Sequence, residues 1–393
     1  MKLLHTADWH IGRQLNSNGI SLLDDQTYVL EQIIDLAKKE AVDGVIIAGD
    51  LYDRGLPPVE AVSLFNQTLN RLLFEAGIPV YAITGNHDSA KRLEFGQEFF
   101  RRQGFHLVSR LADSFQPIEL EGLQIFLLPF IDPIDARVYY QDSDLSTMDG
   151  VMRRIIADMK EQFNPAKKQI LVTHFAVSKG ADDSDLRQQM LSETTRMVGG
   201  LTTLTSDLFA DFAYVALGHI HTRYASPTET VVYSGSPLIF NKDEAKRQDV
   251  KGVYLLDISD GAIQKTFHPL KPYKDFYVLE APYQELLQQV FYDKYPRKKA
   301  RFAFDILVEE RKDLEGINVR FQLEEIYGQE IIDLRIKETK AKPKMKRASF
   351  NSSQSQLAED QLIADFFSEM TGGDQLTAYQ KSLVEELLGK GEA

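Results

Sequence analysis

The chain has 393 residues, no cysteine, and a formal net charge of −13 from 45 basic and 58 acidic side chains. That length suits one large α/β domain with smaller additions. The lack of cysteine excludes disulfides, thiolate metal ligands and a thiol nucleophile, and the acidic balance excludes general basicity as the source of any grip on nucleic acid. The opening Met1–Asp8 lacks the apolar stretch of a signal peptide and no run approaches a membrane span, so a soluble, cytoplasmic protein is expected.

From Met1 to about His268, short apolar runs alternate with amphipathic stretches. Leu3-Leu4 runs into Asp8 and His10, and Tyr28, Ile33, Ile34 and Ala37 then mark a helical stripe. Gly44–Gly49 leads to Asp50. A second stripe, Val62, Phe65, Leu69, Leu72 and Leu73, opens after Pro57-Pro58 and stops at Gly77 and Pro79. Val80–Gly85 then leads to Asn86, completing a β-α-β-α-β order that predicts a parallel-type core. Further strands are expected at Ile125–Leu128, Ile170–Thr173, Tyr214–Gly218, Val231–Tyr233 and Val253–Leu256. Few helices separate them, which points to two packed sheets. Residues 177–206, rich in Ser, Thr, Asp and Gly, read as a long surface loop, either a lid or substrate guide or a tolerated insertion.

The pattern changes around Pro269–Pro272. Strands at Phe276–Glu280, Phe302–Val308 and Ile331–Ile336 alternate with helices at Tyr283–Tyr292 and Leu314–Tyr327, giving a compact α+β module without candidate ligands. Residues 340–356 carry five basic and no acidic side chains and read as a linker, whereas the last 37 carry eight acidic and two basic ones. Leu362, Phe366 and Met370, then Leu376, Tyr379, Leu383 and Leu387, mark two apolar helical stripes across Gly372-Gly373. A hairpin so short is marginal alone in water, so it either folds back or docks in a partner's groove. The expected domains are 1–270, an α+β cap at 271–338, a basic linker at 339–356 and a helical hairpin at 357–393.

Five of the apolar runs end in residues that can ligate metal: Asp8 and His10, Asp50, Asn86, His174, and His219 and His221. Asp8 and His10 are two apart, as are His219 and His221, so in extended chain each pair shares a side. Gly49, Gly85 and Gly218 each precede a ligand, where a missing side chain lets the backbone turn and crowd the site. If the runs lie parallel in one sheet, their carboxyl ends share the edge where ligands of open α/β sheets bind. Short matches arise by chance, and the ordinary reading of a single histidine is a hydrogen-bonded core or surface group. Here five of the eight histidines fall in these motifs, each at a strand tip. Carboxylate, amide and imidazole without sulfur suit Mn, Fe or Zn better than Ca or Mg.

The motifs Asp8-Trp9-His10, Gly49-Asp50-Leu51-Tyr52-Asp53, Gly85-Asn86-His87-Asp88, a lone His174 and Gly218-His219-Ile220-His221 together resemble the calcineurin-like binuclear metallophosphoesterases. A finer resemblance, carried by His5–Gly12 and Ala216–His221, is to the nuclease subunits of bacterial ATP-dependent DNA end-processing complexes. It covers about the first two-thirds by motif; the cap and tail are similar in layout only. The resemblance implies a two-sheet sandwich flanked by helices and two divalent ions, Mn²⁺ above others, bridged by Asp50. Asp8, His10 and His221 would complete one site, and Asn86, His174 and His219 the other. A hydroxide between the ions would attack the phosphodiester, with His87 protonating the leaving oxygen or steadying phosphoryl charge and Asp53 orienting His87. It further implies exonuclease and endonuclease action on DNA ends and hairpins, in repair, replication and recombination. The partner would be a coiled-coil ATPase docked on the C-terminal helices. A homodimer would form through helices near the site, for which the faces of Val62–Leu73 and Phe95–Phe99 are candidates, although core packing is the ordinary explanation of such stripes.

Local cations, Arg13, Arg54, Lys91, Arg92 and Lys298-Lys299, are the candidate contacts to the substrate backbone. Gly49–Gly55 is also similar to the Gly-Asp-x-x-Asp-Arg-Gly of phosphoprotein phosphatases. A phosphatase or a cyclic-nucleotide phosphodiesterase is therefore the alternative enzyme. A non-catalytic scaffold of the same fold is the alternative outside enzymes; such scaffolds usually lack ligands, and none is missing here.

Overall fold

The computed structural model describes residues 1–15, 19–180, 203–259 and 262–339, with Thr377 and Gln380 beyond them. The chain divides into two units, Met1–Thr339 and Lys340–Ala393. Most of the 177–206 segment, the basic linker from residue 340 and the expected hairpin lie outside the described residues.

Two mixed sheets face each other in the first unit. One has the order β11-β10-β1-β2-β3-β4, built from β1 (Lys2–Thr6), β2 (Gly44–Ala48), β3 (Val80–Ile83), β4 (Phe105–Val108), β10 (Gly252–Asp257) and β11 (Gln264–Pro269). The first four are parallel, and β10 and β11 pair antiparallel at the edge. The other runs β9-β8-β7-β6-β5, from β5 (Ile118–Leu120), β6 (Leu123–Leu128), β7 (Lys168–Thr173), β8 (Tyr214–Leu217) and β9 (Val231–Tyr233). All but β5 are parallel.

The layering explains the strand sequences. Leu3, Ile46, Tyr81 and Ile83 from one sheet interleave with Ile125, Leu127, Ile170, Val172 and Ala216 from the other. Helices α1 (Leu23–Lys39) and α2 (Val59–Asn70) cover the outer face of the first sheet through Val29, Ile33, Ile34, Ala37, Leu64 and Phe65. Helix α3 (Met148–Lys160) covers the second through Val151, Met152, Ile155 and Met159. Strands covered on both faces become continuous apolar runs, so β2 and β6 are buried at every position. Tyr28 and Val62, expected on the buried stripes, are exposed; Val29 and Leu64 occupy the core-facing positions beside them. Leu56, Val59, Phe95 and Phe99 are also exposed, each by more than half.

After β9, Asn241 caps the short helix α4 (Lys242–Arg247) by accepting the Glu244 N–H. The cap-like module follows. Its three parallel strands, β12 (Asp275–Pro282), β13 (Ala300–Val308) and β14 (Ile331–Glu338), hold a separate cluster of Leu279, Phe302, Phe304, Ile306, Leu323 and Tyr327. The helix expected from Leu314 starts instead at Val319, as α5 (Val319–Tyr327). Gly316 there takes a left-handed φ of +75°, and Asn318 caps the Phe321 N–H. The helix expected at Tyr283–Tyr292 forms as two short turns, Tyr283–Leu286 and Gln289–Tyr292. Buried ion pairs join module and core: Arg301 grips Asp25 of α1 in a fork at 2.6 and 2.7 Å, and Lys242 and Lys246 of α4 reach Asp305 at 2.6 and 2.5 Å.

Candidate metal centre

The seven candidate ligands leave the tips of both sheets, not one: Asp8, His10, Asp50 and Asn86 follow β1, β2 and β3, while His174, His219 and His221 follow β7 and β8. The loops lie against one another. Asp8 N–H donates to the Gly49 carbonyl (3.1 Å), His10 N–H to the Asp50 carbonyl (2.9 Å), and His219 N–H to Asp8 Oδ1 (2.8 Å). The approach is close enough to require glycine at two points. A Cβ on Gly218 would meet the Ala48 carbonyl oxygen, and one on Gly85 would meet the Asp50 carboxylate. Asp8, His10, Asp50 and His219 all hold left-handed φ angles, between +43° and +93°. Strained non-glycine backbone of this kind persists only where its surroundings enforce it, and it gathers at functional sites.

Two groups of ligand atoms result. His10 Nε2 and His221 Nε2 are 3.1 Å apart beside Asp8. Asn86 Oδ1 lies 3.0 Å from His174 Nε2 and 3.1 Å from His219 Nδ1. Asp50 Oδ2 stands between the groups, 3.4 Å from His10 Nε2 and 3.3 Å from His174 Nε2. Bonds of about 2.1 Å to a common ion place neighbouring ligand atoms about 3.0–3.4 Å apart, the spacing found here. Asp8 Oδ2 is buried with no hydrogen-bond partner among the described residues, which is costly for a carboxylate unless a cation meets it. The residues therefore fit divalent metal, and the Asp50 carboxylate lies between the two ligand groups.

The titration behaviour suits ligation. Burial alone would raise the Asp50 pKa, but His174 and His10 beside it hold the carboxyl well below the usual range. Burial depresses His10 well below its ordinary value, and burial with neighbouring His174 brings His219 down to about 3. Both are thus neutral imidazoles, the ligating form. Burial would also lower His174, yet Asp50 beside it brings it up to about 9, so this imidazole must give up a proton before it can ligate.

His87 stands beside the groups. Its backbone N–H donates to Asp50 Oδ1 (2.9 Å) and its ring meets His10 edge-on at 4.7 Å. Nδ1 lies 2.9 Å from the backbone carbonyl of Asp53, so that nitrogen donates and Nε2 is left for a substrate. The contact to His87 thus comes from the Asp53 main chain. Its carboxylate pairs with Arg13 (2.9 Å), which also lies over the Phe240 ring, and stands 3.8 Å from His10 Nδ1. Arg54 is half exposed, 3.9 Å from the same carboxylate. Lys91 and Arg92 are exposed on the helical turn Ala90–Leu93, directly after the Asn86–Asp88 loop.

Two further carboxylates support the site. Asp88 accepts the N–H groups of Leu51, Tyr52 and Gly85, pinning two ligand loops together, and burial with nearby Asp50 pushes its pKa up to about 7. Its place in Gly-Asn-His-Asp was visible in the sequence, but its role as a clamp was not. Glu244 of α4 lies 3.3 Å from His221 Nδ1 and 2.7 Å from Lys251. Burial would raise its pKa, but Lys251 and His221 bring it down to about 2. Standing 23 residues from His221, with only a helix-start pattern around it, Glu244 gave no local signal.

The calcineurin-like phosphoesterase profile matches residues 1–223. A protein from Staphylococcus saprophyticus, named as the SbcD component of nuclease SbcCD, is 30% identical over 395 residues, covering 99% of this chain and 98% of its own length. One of the same name from Staphylococcus epidermidis is 35% identical over 290 residues, covering 74% and 75%. Among solved structures, a dimetal phosphatase from Danio rerio is similar with a TM-score of 0.42 and 11% identity, over 68% of this chain and 96% of that one.

Proposed function

Because the chain belongs to the calcineurin-like phosphoesterase family and, within it, groups with the SbcD components of SbcCD nucleases, we propose that it is a metal-dependent DNA phosphodiesterase. The observation that carries this reading is the pair of ligand groups sharing Asp50, with His87 at their margin. Asp8, His10 and His221 would hold one ion and Asn86, His174 and His219 the other, and Mn²⁺ suits the oxygen and nitrogen donors. When bound, such ions lower the pKa of a water between them and neutralise the attacked phosphate. His87, held through Nδ1, presents Nε2 to the phosphate or the leaving oxygen. Asp53 neutralises Arg13 and fixes the loop carrying the carbonyl that orients His87. In this reading Arg54, Lys91 and Arg92 are the contacts to phosphates of a strand entering the site.

The finer reading is of a double-strand exonuclease and hairpin or single-strand endonuclease. It would act in the cytoplasm, within an ATP-dependent end-processing complex of repair, replication and recombination. In this reading the chain comprises a nuclease domain at 1–270, a cap at 271–338, a linker at 339–356 and a hairpin at 357–393, the last docking on a coiled-coil ATPase. A homodimer would form through the faces of Val62–Leu73 and Phe95–Phe99, of which Phe95 and Phe99 are largely exposed; Phe95→Ser with Phe99→Ser should give a monomer in sedimentation, and an unchanged dimer would move the interface elsewhere. The test of function compares hydrolysis of linear duplex, end-blocked and hairpin DNA with a small bis-ester and a phosphopeptide, in Mn²⁺, with and without the ATPase. Cleavage of the DNA substrates is expected. Preference for the phosphopeptide or the small bis-ester would establish the alternative, a phosphatase or cyclic-nucleotide phosphodiesterase, which Arg54 after Gly49–Asp53 favours.

A further inference from the structure

His221 presents an unusual requirement. Its Nε2 points to His10 and the first ligand group, so the other ring nitrogen faces away from the proposed ion. A neutral imidazole ligating through Nε2 carries its proton on Nδ1, and in a buried site that N–H needs an acceptor. Glu244 Oε1 lies 3.3 Å away, on a side chain with no solvent exposure. The rest of the carboxylate is occupied: Asn241 Nδ2 donates to Oε1 (2.6 Å), and the Phe240 N–H (3.2 Å) and Lys251 Nζ (2.7 Å) meet Oε2. The same Lys251 ammonium donates to the His221 carbonyl at 2.8 Å and to Ser236 Oγ at 3.1 Å. One ion pair therefore holds both the ring and the backbone of His221.

The helix that carries Glu244 has a second attachment. Lys242 and Lys246 are four apart and share a face; Glu244, two from each, projects from the opposite one. Both lysines end on Asp305 of β13, whose side chain is also fully buried. Helix α4 thus has the cap-like module on one side and a candidate ligand on the other.

We propose that Glu244, backed by Lys251, is a positioning residue that fixes His221 as an Nε2 ligand, and that α4 ties this geometry to the cap through Asp305. The inference rests on the proposed metal site. A lost outer carboxylate of this kind typically weakens metal binding about 10–100-fold.

The test is Mn²⁺ binding to the full-length chain by calorimetry and electron paramagnetic resonance, with ring ¹⁵N shifts to read the His221 tautomer. Glu244→Ala should weaken one of two ions by about 10–100-fold and release the Nδ1–H tautomer, while the second ion binds as before. Glu244→Gln, whose amide oxygen can still accept from Nδ1–H, should recover most of that loss, which a merely structural role does not predict. Asp305→Asn should weaken the same ion by a smaller factor. If Glu244→Ala fails to fold, Glu244→Leu, which fills the same space but cannot accept from Nδ1–H, decides: wild-type affinity and His221 tautomer there overturn the proposal. A control separates the two readings. His221→Ala should lose one ion; if it keeps both, the metal assignment itself fails, whereas loss there with intact binding in the Glu244 variants refutes only the positioning role.

Discussion

The attachment of the cap to α1 makes a quantitative prediction. Arg301 and Asp25 are 5% and 1% exposed and form a two-point fork at 2.6 and 2.7 Å. Glu330 lies 2.9 Å from the guanidinium Nε but is itself over a third exposed and engaged by Lys274. In Asp25→Ala the guanidinium stays buried and loses its two-point partner, keeping among the described residues a single contact, to Glu330. Breaking such a pair by removing one partner costs about 3–5 kcal/mol, most of it the stranded charge. Exchanging both partners for apolar groups removes the desolvation cost along with the attraction, so Asp25→Leu with Arg301→Met should lie within about 1 kcal/mol of wild type or exceed it. The assay is equilibrium urea unfolding by far-ultraviolet circular dichroism on the two single variants and the double, with hydrogen exchange in β12–β14 locating the loss. Strong non-additivity is expected, since the residues are in contact. A cost below about 1 kcal/mol for Asp25→Ala, or additive costs in the double variant, would refute the reasoning.

Three further outcomes are expected. His174→Ala and Asn86→Ala should each abolish hydrolysis while circular dichroism stays native, and wild-type turnover by either would show the ligand assignment to be wrong. Gly218→Ala, whose methyl would fall on the Ala48 carbonyl oxygen, should lower the melting temperature far more than Gly77→Ala, where the added Cβ meets nothing and only the left-handed φ is penalised, at about 1 kcal/mol; equal losses would contradict the packing argument. Burial would raise the Asp305 pKa, but Lys242, Lys246 and Lys337 hold it below its ordinary value, so its stabilising contribution is full above about pH 4 and fades as pH falls below that. Asp305→Asn should therefore flatten the acid limb of a stability–pH curve measured between pH 2 and 6, and an unchanged limb would remove Asp305 from the account.

The ligand positions were legible because each stands where an apolar run stops, and a strand tip is a local feature of the chain. Their distribution over two sheets was less so. Both sheets are covered on both faces, so β2 and β7 carry the same kind of apolar run, and nothing within a run names its neighbour. Contacts made across the sequence were not visible at all. Glu244 is one case, joined to His221 only by the return of the chain after β9. Asp53 is another: the motif names its side chain, whereas the structure brings its carbonyl to His87 and leaves the carboxylate to Arg13. Backbone roles leave no trace in residue identity. The shortened helix at α5 shows the converse, since Gly316 and Asn318 were there to be read as a break, and the apolar periodicity from Leu314 overrode them.

The split of the ligands between the two sheets gives any bound ion a mechanical consequence. His10 and His221 are separated by 211 residues of sequence, yet their ring nitrogens are 3.1 Å apart. An ion gripping both closes a chain loop that spans more than half the protein, as a disulfide would in an oxidising compartment. The sandwich then has a metal fastening at the edge where the ligand loops meet. Its unfolding free energy should rise by about 1.4 kcal/mol for each tenfold increase in free ion above the dissociation constant. Chelation would loosen the molecule first along the rim where the two sheets meet.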